Sequence, residues 1–449
     1  MLLRTHDAPG CSGDARELAS LARRMIDRKT GLVAQLRVGT RTSDQVRLSH
    51  LYSTMSDIGR LPSGGAIQSP CGGQYTLREA LRQVLFEVAE RSSAAFVDHR
   101  KLVRARPVGP AFLHGDRLPL YAGVQYDSPG FPFRRLTEAS EIYWAESRSL
   151  VHGAKAFVPA ALVHIPYEPT SEAEWLGPST STGMACDRSW TRACLAGLLE
   201  VCERDAFTIT WMNRLSLPRL RVDPGSPFDK ELAGAIGRRA RVDFVTITND
   251  LRVPTVLAVL ETSVFGRRVV TFGSAARPRY VEAARKAFTE AAGDLARLRA
   301  RAALTRELWE PAEDFSNVTD WEWHSLVYLH ERHQPALDFL TASPVEEPLE
   351  GPHDDERDEH ADPARLLEDY LARVAGRSDV FCVPLTALDV ADLGLHVIKI
   401  VAPHLVPLNP DHRYPWLGHA RLYTVPRIMG LAERDSRPED LNPYPHPFA

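Results

Sequence analysis

Apolar and polar positions follow two distinct periods along this chain. Between residues 14 and 29, Leu18, Leu21, Ala22 and Met25 repeat every three or four positions, lining one face of an α-helix that ends in the "RKTGL" turn. The same spacing predicts helices over Leu77 to Ala94, Trp190 to Met212, the segment "PARLLEDYLARVAG", and Tyr280 to about Leu308, where Ala283, Ala287, Ala291 and Leu295 share a face. Three β-like runs, "VDFVTIT", "TVLAVLE" and "RRVVTFGSA", lie between Asp243 and Ala275, separated by "NDLRVP" and "SVFG". An αβ passage, "DVFCVPLTALDVADLGLHVIKIVAP", follows later. This mixture predicts an α/β (α+β) protein.

The intervening text is equally informative. Ser53 to Thr76 is rich in Gly, Ser and Pro and reads as a long irregular segment, while "GPSTSTGMACDRS" is the loop before the helix at Trp190. Loop followed by helix thus occurs twice, a weak internal pseudo-repeat. Residues 345–363, "VEEPLEGPHDDERDEHADP", are acidic and Pro-punctuated, as expected of a mobile, solvated insertion. The end, "LNPYPHPFA", alternates Pro443, Pro445 and Pro447 with other residues, which favours an extended, polyproline-like tail. His324 and Tyr328 in "WEWHSLVYLH" stand four apart and are expected in a packed aromatic helix rather than a metal site.

With 449 residues the chain can bury a large core. A net charge of -4 gives no electrostatic reason to expect nucleic acid or an anionic membrane as partner. No signal-peptide core or membrane-length apolar run is present, so a cytoplasmic location is the expectation. Cys11, Cys71, Cys186, Cys194, Cys202 and Cys382 form neither a C-x-x-C pair nor a zinc spacing, which points to reduced thiols.

Two near-repeats carry the candidate chemistry. "LFEVAER" places Glu87 and Glu90 three apart, and "LEVCERD" does the same with Glu200 and Glu203, so each pair lies on one helix face. A single motif of this kind is usually a surface salt bridge, here Glu87 to Arg91 or Glu200 to Arg204. Apolar flanks on nearly every side and the recurrence argue instead that part of each motif faces inward. Clustered buried carboxylates must be protonated, paired or holding a cation. Magnesium carried on nucleotide phosphates suits facing Glu pairs, because it takes oxygens from one or two carboxylates plus the phosphates. The loops "PCGGQYT" and "STSTGMACD" could each offer backbone N–H groups to phosphate.

The second motif with its surroundings, "STSTGMACDRSWTRACLAGLLEVCERDAF", resembles the signature of the YcaO family. "IDRKTGLV", "LFEVAER", "VPAALVH", "AFTEAAGDLAR" and "LTALDVADLGLHVIKIVAPHLVPL" with the tail "NPYPHPFA" extend the likeness over most of the chain, toward the azoline-forming cyclodehydratase branch. The resemblance implies a fold of mixed and antiparallel sheets flanked by helices, with residues 1–40 as a helical lead-in and 41–449 as the YcaO domain. It implies ATP-dependent activation of backbone amides in a ribosomal precursor peptide, converting Cys, Ser or Thr to thiazoline or oxazoline. The implied Mg2+ carboxylates are Glu87, Glu90, Glu200, Glu203 and Glu290, and the implied ATP contacts are Gln74, Arg91, Ser181, Thr182, Gly183 and Arg204. Pro443, Pro445, Pro447 and Ala449 match the tail that lies near the family's active site.

Departures from the family pattern are Gln74 for Lys, Thr182 for Asn, Arg192 for Glu, Gly293 for Gln and a final Ala449 for Pro. They keep two alternatives in view: a degenerate paralogue acting as a docking or scaffold subunit, and a YcaO enzyme making a thioamide or amidine. The expected partners are the precursor peptide, an E1-like or ThiF-like protein that binds its leader and, as an option, a second copy of the chain.

Overall fold

Leu18, Leu21, Ala22 and Met25 all turn inward from helix α1 (Gly13–Met25), as their spacing requires. The helix stops short of residue 29 because the Asp27 carboxylate accepts from the backbone N–H groups of Lys29 and Thr30 and forms a turn there. The computed structural model describes residues 13–39, 46–56, 69–237, 240–264, 266–304, 309–350 and 362–448.

Three sheets are present among the described residues. The first is the antiparallel set β1 (Val33–Val38), β2 (Ser49–Met55) and β3 (Cys71–Gln74). The second contains β4 (Val103–Ala105), β5 (Ile142–Ser149), β6 (Lys155–Pro159) and β7 (Met184–Asp187), joined by β13 (Phe381–Pro384) and β14 (His396–Val401) in the order β4-β5-β13-β14-β7, with β6 on β5. The third runs β11-β10-β9-β8-β12, from β8 (Arg219–Arg221), β9 (Arg241–Thr246), β10 (Thr255–Val264), β11 (Arg267–Ala276) and β12 (Glu346–Pro348). All pairings are antiparallel except β12 with β8.

Three helices close the seams between these sheets. Helix α2 (Leu77–Ala95) packs on β2 and β3 of the first sheet and on β7 of the second. Helix α3 (Trp190–Met212) lies between β14 and β7 on one side and β11 on the other, and it is accordingly apolar almost all round. Helix α4 (Tyr280–Leu304) covers β10 and β11 and reaches β3. Their starts are written locally: Thr76 and Glu79 form a capping box on α2, and the Ser189 hydroxyl caps α3. Smaller helices include α5 (Trp321–Val327), α6 (Pro363–Ala375) and α7 (Arg421–Ile428), of which α6 and α7 pack on α3.

Several expectations need correction. The segment from Ser53 to Thr76 is not irregular throughout: 53–55 end β2 and 71–74 form β3. Gly72 serves packing, since a Cβ there would lie 2.8 Å from the Ala80 carbonyl oxygen of α2; residues 57–68 lie outside the described residues. The loop at 179–183 does not open a helix directly, because β7 intervenes. Both halves of the pseudo-repeat are therefore a short strand leading into a helix. The acidic stretch is exposed at 345–348, as expected, but it is not an irregular insertion from its start, as Glu346–Pro348 pairs with β8; residues 351–361 lie outside the described residues, as do 305–308.

Candidate active site

The three seam helices carry the carboxylates inward. Val84, Leu85, Val88 and Ala89 bury one side of α2, and beside them Glu90 comes within reach of Glu200 on α3 and Glu87 within reach of Lys286 and Glu290 on α4. On α3, Glu203 is almost fully buried and Glu200 lies one turn away. On α4, Ala287 and Ala291 bury against β11, and Glu290 projects beside them. All five acids come together: Glu90 feels the charges of Glu87 and Glu200, while Glu290 acts on Glu87, Glu200 and Glu203.

Cations ring the cluster. Arg204 lies 3.3 Å from Glu203 and 3.8 Å from Glu200, Arg91 is 3.5 Å from Glu87, and the Lys286 Nζ is 2.9 Å from Glu290. These pairs are fewer than the burial demands. Burial, reinforced by Glu87 and Glu200, pushes Glu90 up to about 8, and burial outweighs Arg204 at Glu200, pushing it up to about 7. Burial also raises Glu87 and Glu203. At Glu290 burial is overcome by Lys286 and Arg204, which hold its carboxyl low. The Ser274 hydroxyl of β11 donates to Glu203 at 2.6 Å and fixes its orientation. This contact has no sequence signature.

Of the residues expected to meet nucleotide, Gln74 sits on β3 with its amide donating to Gln83 Oε1 at 2.8 Å. Ser181, Thr182 and Gly183 form the turn before β7, closed by Met184 N–H to the Ser181 carbonyl at 2.9 Å. Gly183 has φ +82°, and a Cβ there would lie 2.2 Å from the Ile400 carbonyl oxygen, so only glycine fits. Beside this turn stands Lys399, which sequence reading missed. Its ammonium, buried on β14, donates to the Thr180 carbonyl, and burial pushes it down to about 7 although Glu200 opposes the shift. The only signal was a lone lysine inside "HVIKIV". Gly293 lies one turn after Glu290 on α4 and borders β3 at Gly73, while Arg192 is exposed at the start of α3.

The tail is docked rather than free. Leu441, Asn442, Pro445, His446, Pro447 and Phe448 are buried and Pro443 is exposed, while Ala449 lies outside the described residues. Trp211 Nε1 donates to the Tyr444 carbonyl at 3.1 Å, and the Tyr328 hydroxyl donates to that of Pro445. The His324 ring nitrogens lie 3.0 Å from the His446 carbonyl oxygen and 2.9 Å from that of Pro410. His324 and Tyr328 are thus packed, as expected, and what they pack is the tail. Phe448 meets Phe207 edge-on at 4.3 Å and lies under the Arg204 guanidinium at 5.8 Å, which brings the chain's end to the carboxylates.

Among the described residues no three Asp, Glu, His or Cys side chains form a protein-only metal cage. The facing carboxylates suit a cation that arrives with other oxygen ligands, as magnesium does on phosphate. Residues 71–406 match the family profile described as YcaO cyclodehydratase, ATP- and Mg2+-binding. The chain belongs to the YcaO family. ATP and Mg2+ are therefore its cofactors. An uncharacterized protein of Methanothermobacter thermautotrophicus is 26% identical over 352 residues, covering 77% of this chain and 84% of that one. The fold is similar to that of a heterocyclase in complex with substrate and cofactor, with TM-score 0.73 and 19% identity over 96% of this YcaO chain. The match spans only 57% of the heterocyclase's length. YcaO from Methanopyrus kandleri bound with AMPPCP and Mg2+ superposes with TM-score 0.60 at 19% identity, covering 88% of this chain and 91% of that one. No helix among the described residues is long and apolar enough to cross a membrane.

Proposed function

We propose that this YcaO chain is the ATP-using subunit of a cyclodehydratase that converts Cys, Ser or Thr of a ribosomal precursor peptide to thiazoline or oxazoline. The observation that carries this reading is the convergence of Glu87, Glu90, Glu200, Glu203 and Glu290 from three helices, with the chain's end docked beside them. Mg-ATP supplies the phosphoryl group that turns the amide oxygen, once the neighbouring side chain has attacked its carbon, into a leaving group. The chain's own residues have mainly to position and to balance charge. The Glu pairs would hold the cation's open positions, Ser181 to Gly183 would face phosphate oxygens, and Arg91 and Arg204 would offset the charge that gathers there. Pro443, Pro445 and Pro447 shape the docked end, and the peptide is placed next to it. The precursor would be presented by a separate E1-like or ThiF-like protein.

Mass spectrometry tests the reading: the chain, its partner and a precursor peptide should yield loss of one water per ring, only with Mg-ATP. Peptide that keeps its mass while ATP is consumed would count against it. A scaffold role is the second reading, favoured by the Gln74 amide being engaged by Gln83. Calorimetry separates the two, since a scaffold would bind no Mg-ATP with or without its partner.

A pH dependence follows from the raised carboxyls. Glu90, pushed up to about 8, and Glu200, pushed up to about 7, hold protons near neutrality in the ligand-free chain. Each must become a carboxylate to hold Mg2+, so binding releases protons. Mg-ATP affinity is expected to rise from about pH 6.5 to about pH 8.5 as both carboxyls ionise, with a shallower slope near pH 7, where Lys399, pushed down to about 7, gives up its proton; binding heats there should depend on the buffer's ionisation enthalpy. Glu90→Gln should flatten that slope. A pH-independent affinity in the wild type would contradict the assignment.

A further inference from the structure

A lysine in the middle of an apolar strand is costly, because its ammonium must leave water. Lys399 is 3% exposed, between buried Ile398 and Ile400 on β14 and opposite Met184 of β7. Any β-branched residue would fill this place at lower cost. Two contacts show what the lysine holds. Its Nζ donates to the Thr180 carbonyl, and the next residue's N–H, that of Ile400, donates to the Gly183 carbonyl at 2.8 Å. Consecutive residues of one strand therefore grip both ends of the turn that displays Ser181 and Thr182. The same ammonium lies within electrostatic reach of Glu200 and Arg91, whereas Lys286 serves Glu290 on α4.

We propose that Lys399 is a positioning residue, which holds the Thr180–Gly183 turn in its nucleotide-binding shape and places its ammonium behind Glu200. The inference rests on the ATP site proposed above. It predicts opposite movements of two measurements. Lys399→Met keeps the length and removes a buried charge, so the melting temperature should stay level or rise. Mg-ATP affinity, by calorimetry on the full chain, should nevertheless fall roughly tenfold or more, because a charge-assisted hydrogen bond and its field are lost. In turnover with the partner present, KM for ATP should rise while kcat changes little. Lys399→Arg, which keeps the charge and a donor, should bind within about threefold of the wild type.

Wild-type affinity in Lys399→Met, or Lys399→Arg as weak as Lys399→Met, overturns the proposal. A melting temperature that drops together with affinity also overturns it, since that is the mark of a merely structural residue. If Lys399→Met does not fold, Lys399→Gln is the second variant: it can still donate to Thr180 but carries no charge, and normal affinity in it is equally fatal. A wild-type chain that binds no Mg-ATP removes the underlying reading of the site and this inference with it, whereas failure of the variants alone leaves that reading standing.

Discussion

Glu203→Gln is expected to lower azoline formation by about 10²- to 10³-fold or more while the protein stays folded, and Glu200→Gln should act in the same direction. The amide keeps the shape of the side chain and can still accept from Ser274, which donates to Glu203 at 2.6 Å. What it loses is the negative charge. Removing one of five mutually repelling acids should leave the ligand-free fold as stable as before or more so, since burial and neighbouring carboxylates already raise Glu200 and Glu203. Rate by mass spectrometry and stability by thermal melting should therefore separate. A variant that cyclises its peptide at the wild-type rate would show that these carboxylates do not hold the reacting nucleotide.

The second large effect concerns stability. Arg421 of α7 reaches Asp205 through Nε at 3.0 Å and Nη2 at 2.7 Å, and Asp250 through Nη1 at 3.1 Å and Nη2 at 2.7 Å. Asp205 is fully buried and also accepts from Asn249 Nδ2 and from the Val406 N–H. Arg421→Met would leave that carboxylate without its counter-charge, at an expected cost of about 3–5 kcal/mol by urea denaturation. Asp250 suffers less, because Arg377 remains 3.0 Å away. Asp205 follows Arg204 directly in the chain, so the variant should also weaken the seat of α3 beside the docked tail. A loss below about 0.5 kcal/mol would mean that water or a rearranged neighbour satisfies Asp205.

Much of this was legible before folding was considered. The long helices announce themselves by period, the strands of 241–276 by apolar runs, and the Glu motifs by recurrence within apolar flanks. Short strands did not: β3 is "CGGQ" and β12 is "EEP", compositions that belong to turns, and each is a strand only because a partner lies alongside. The tail was legible as extended but not as buried, since its partners Trp211, His324 and Tyr328 are more than a hundred residues away.

By itself the sequence determined which faces of α2, α3 and α4 turn inward, because helical period and apolar spacing are properties of neighbours along the chain. On α2 and α3 it also indicated that the acid motifs face partly inward, whereas Glu290 of α4 came only from the resemblance to the family. Only the tertiary structure decided that three faces from distant segments meet at one place, that Lys399 and Ser274 stand there with them, and that the chain's end closes beside Arg204. Those outcomes depend on contacts between residues far apart, whose cost or benefit exists only once the sheets have brought them together.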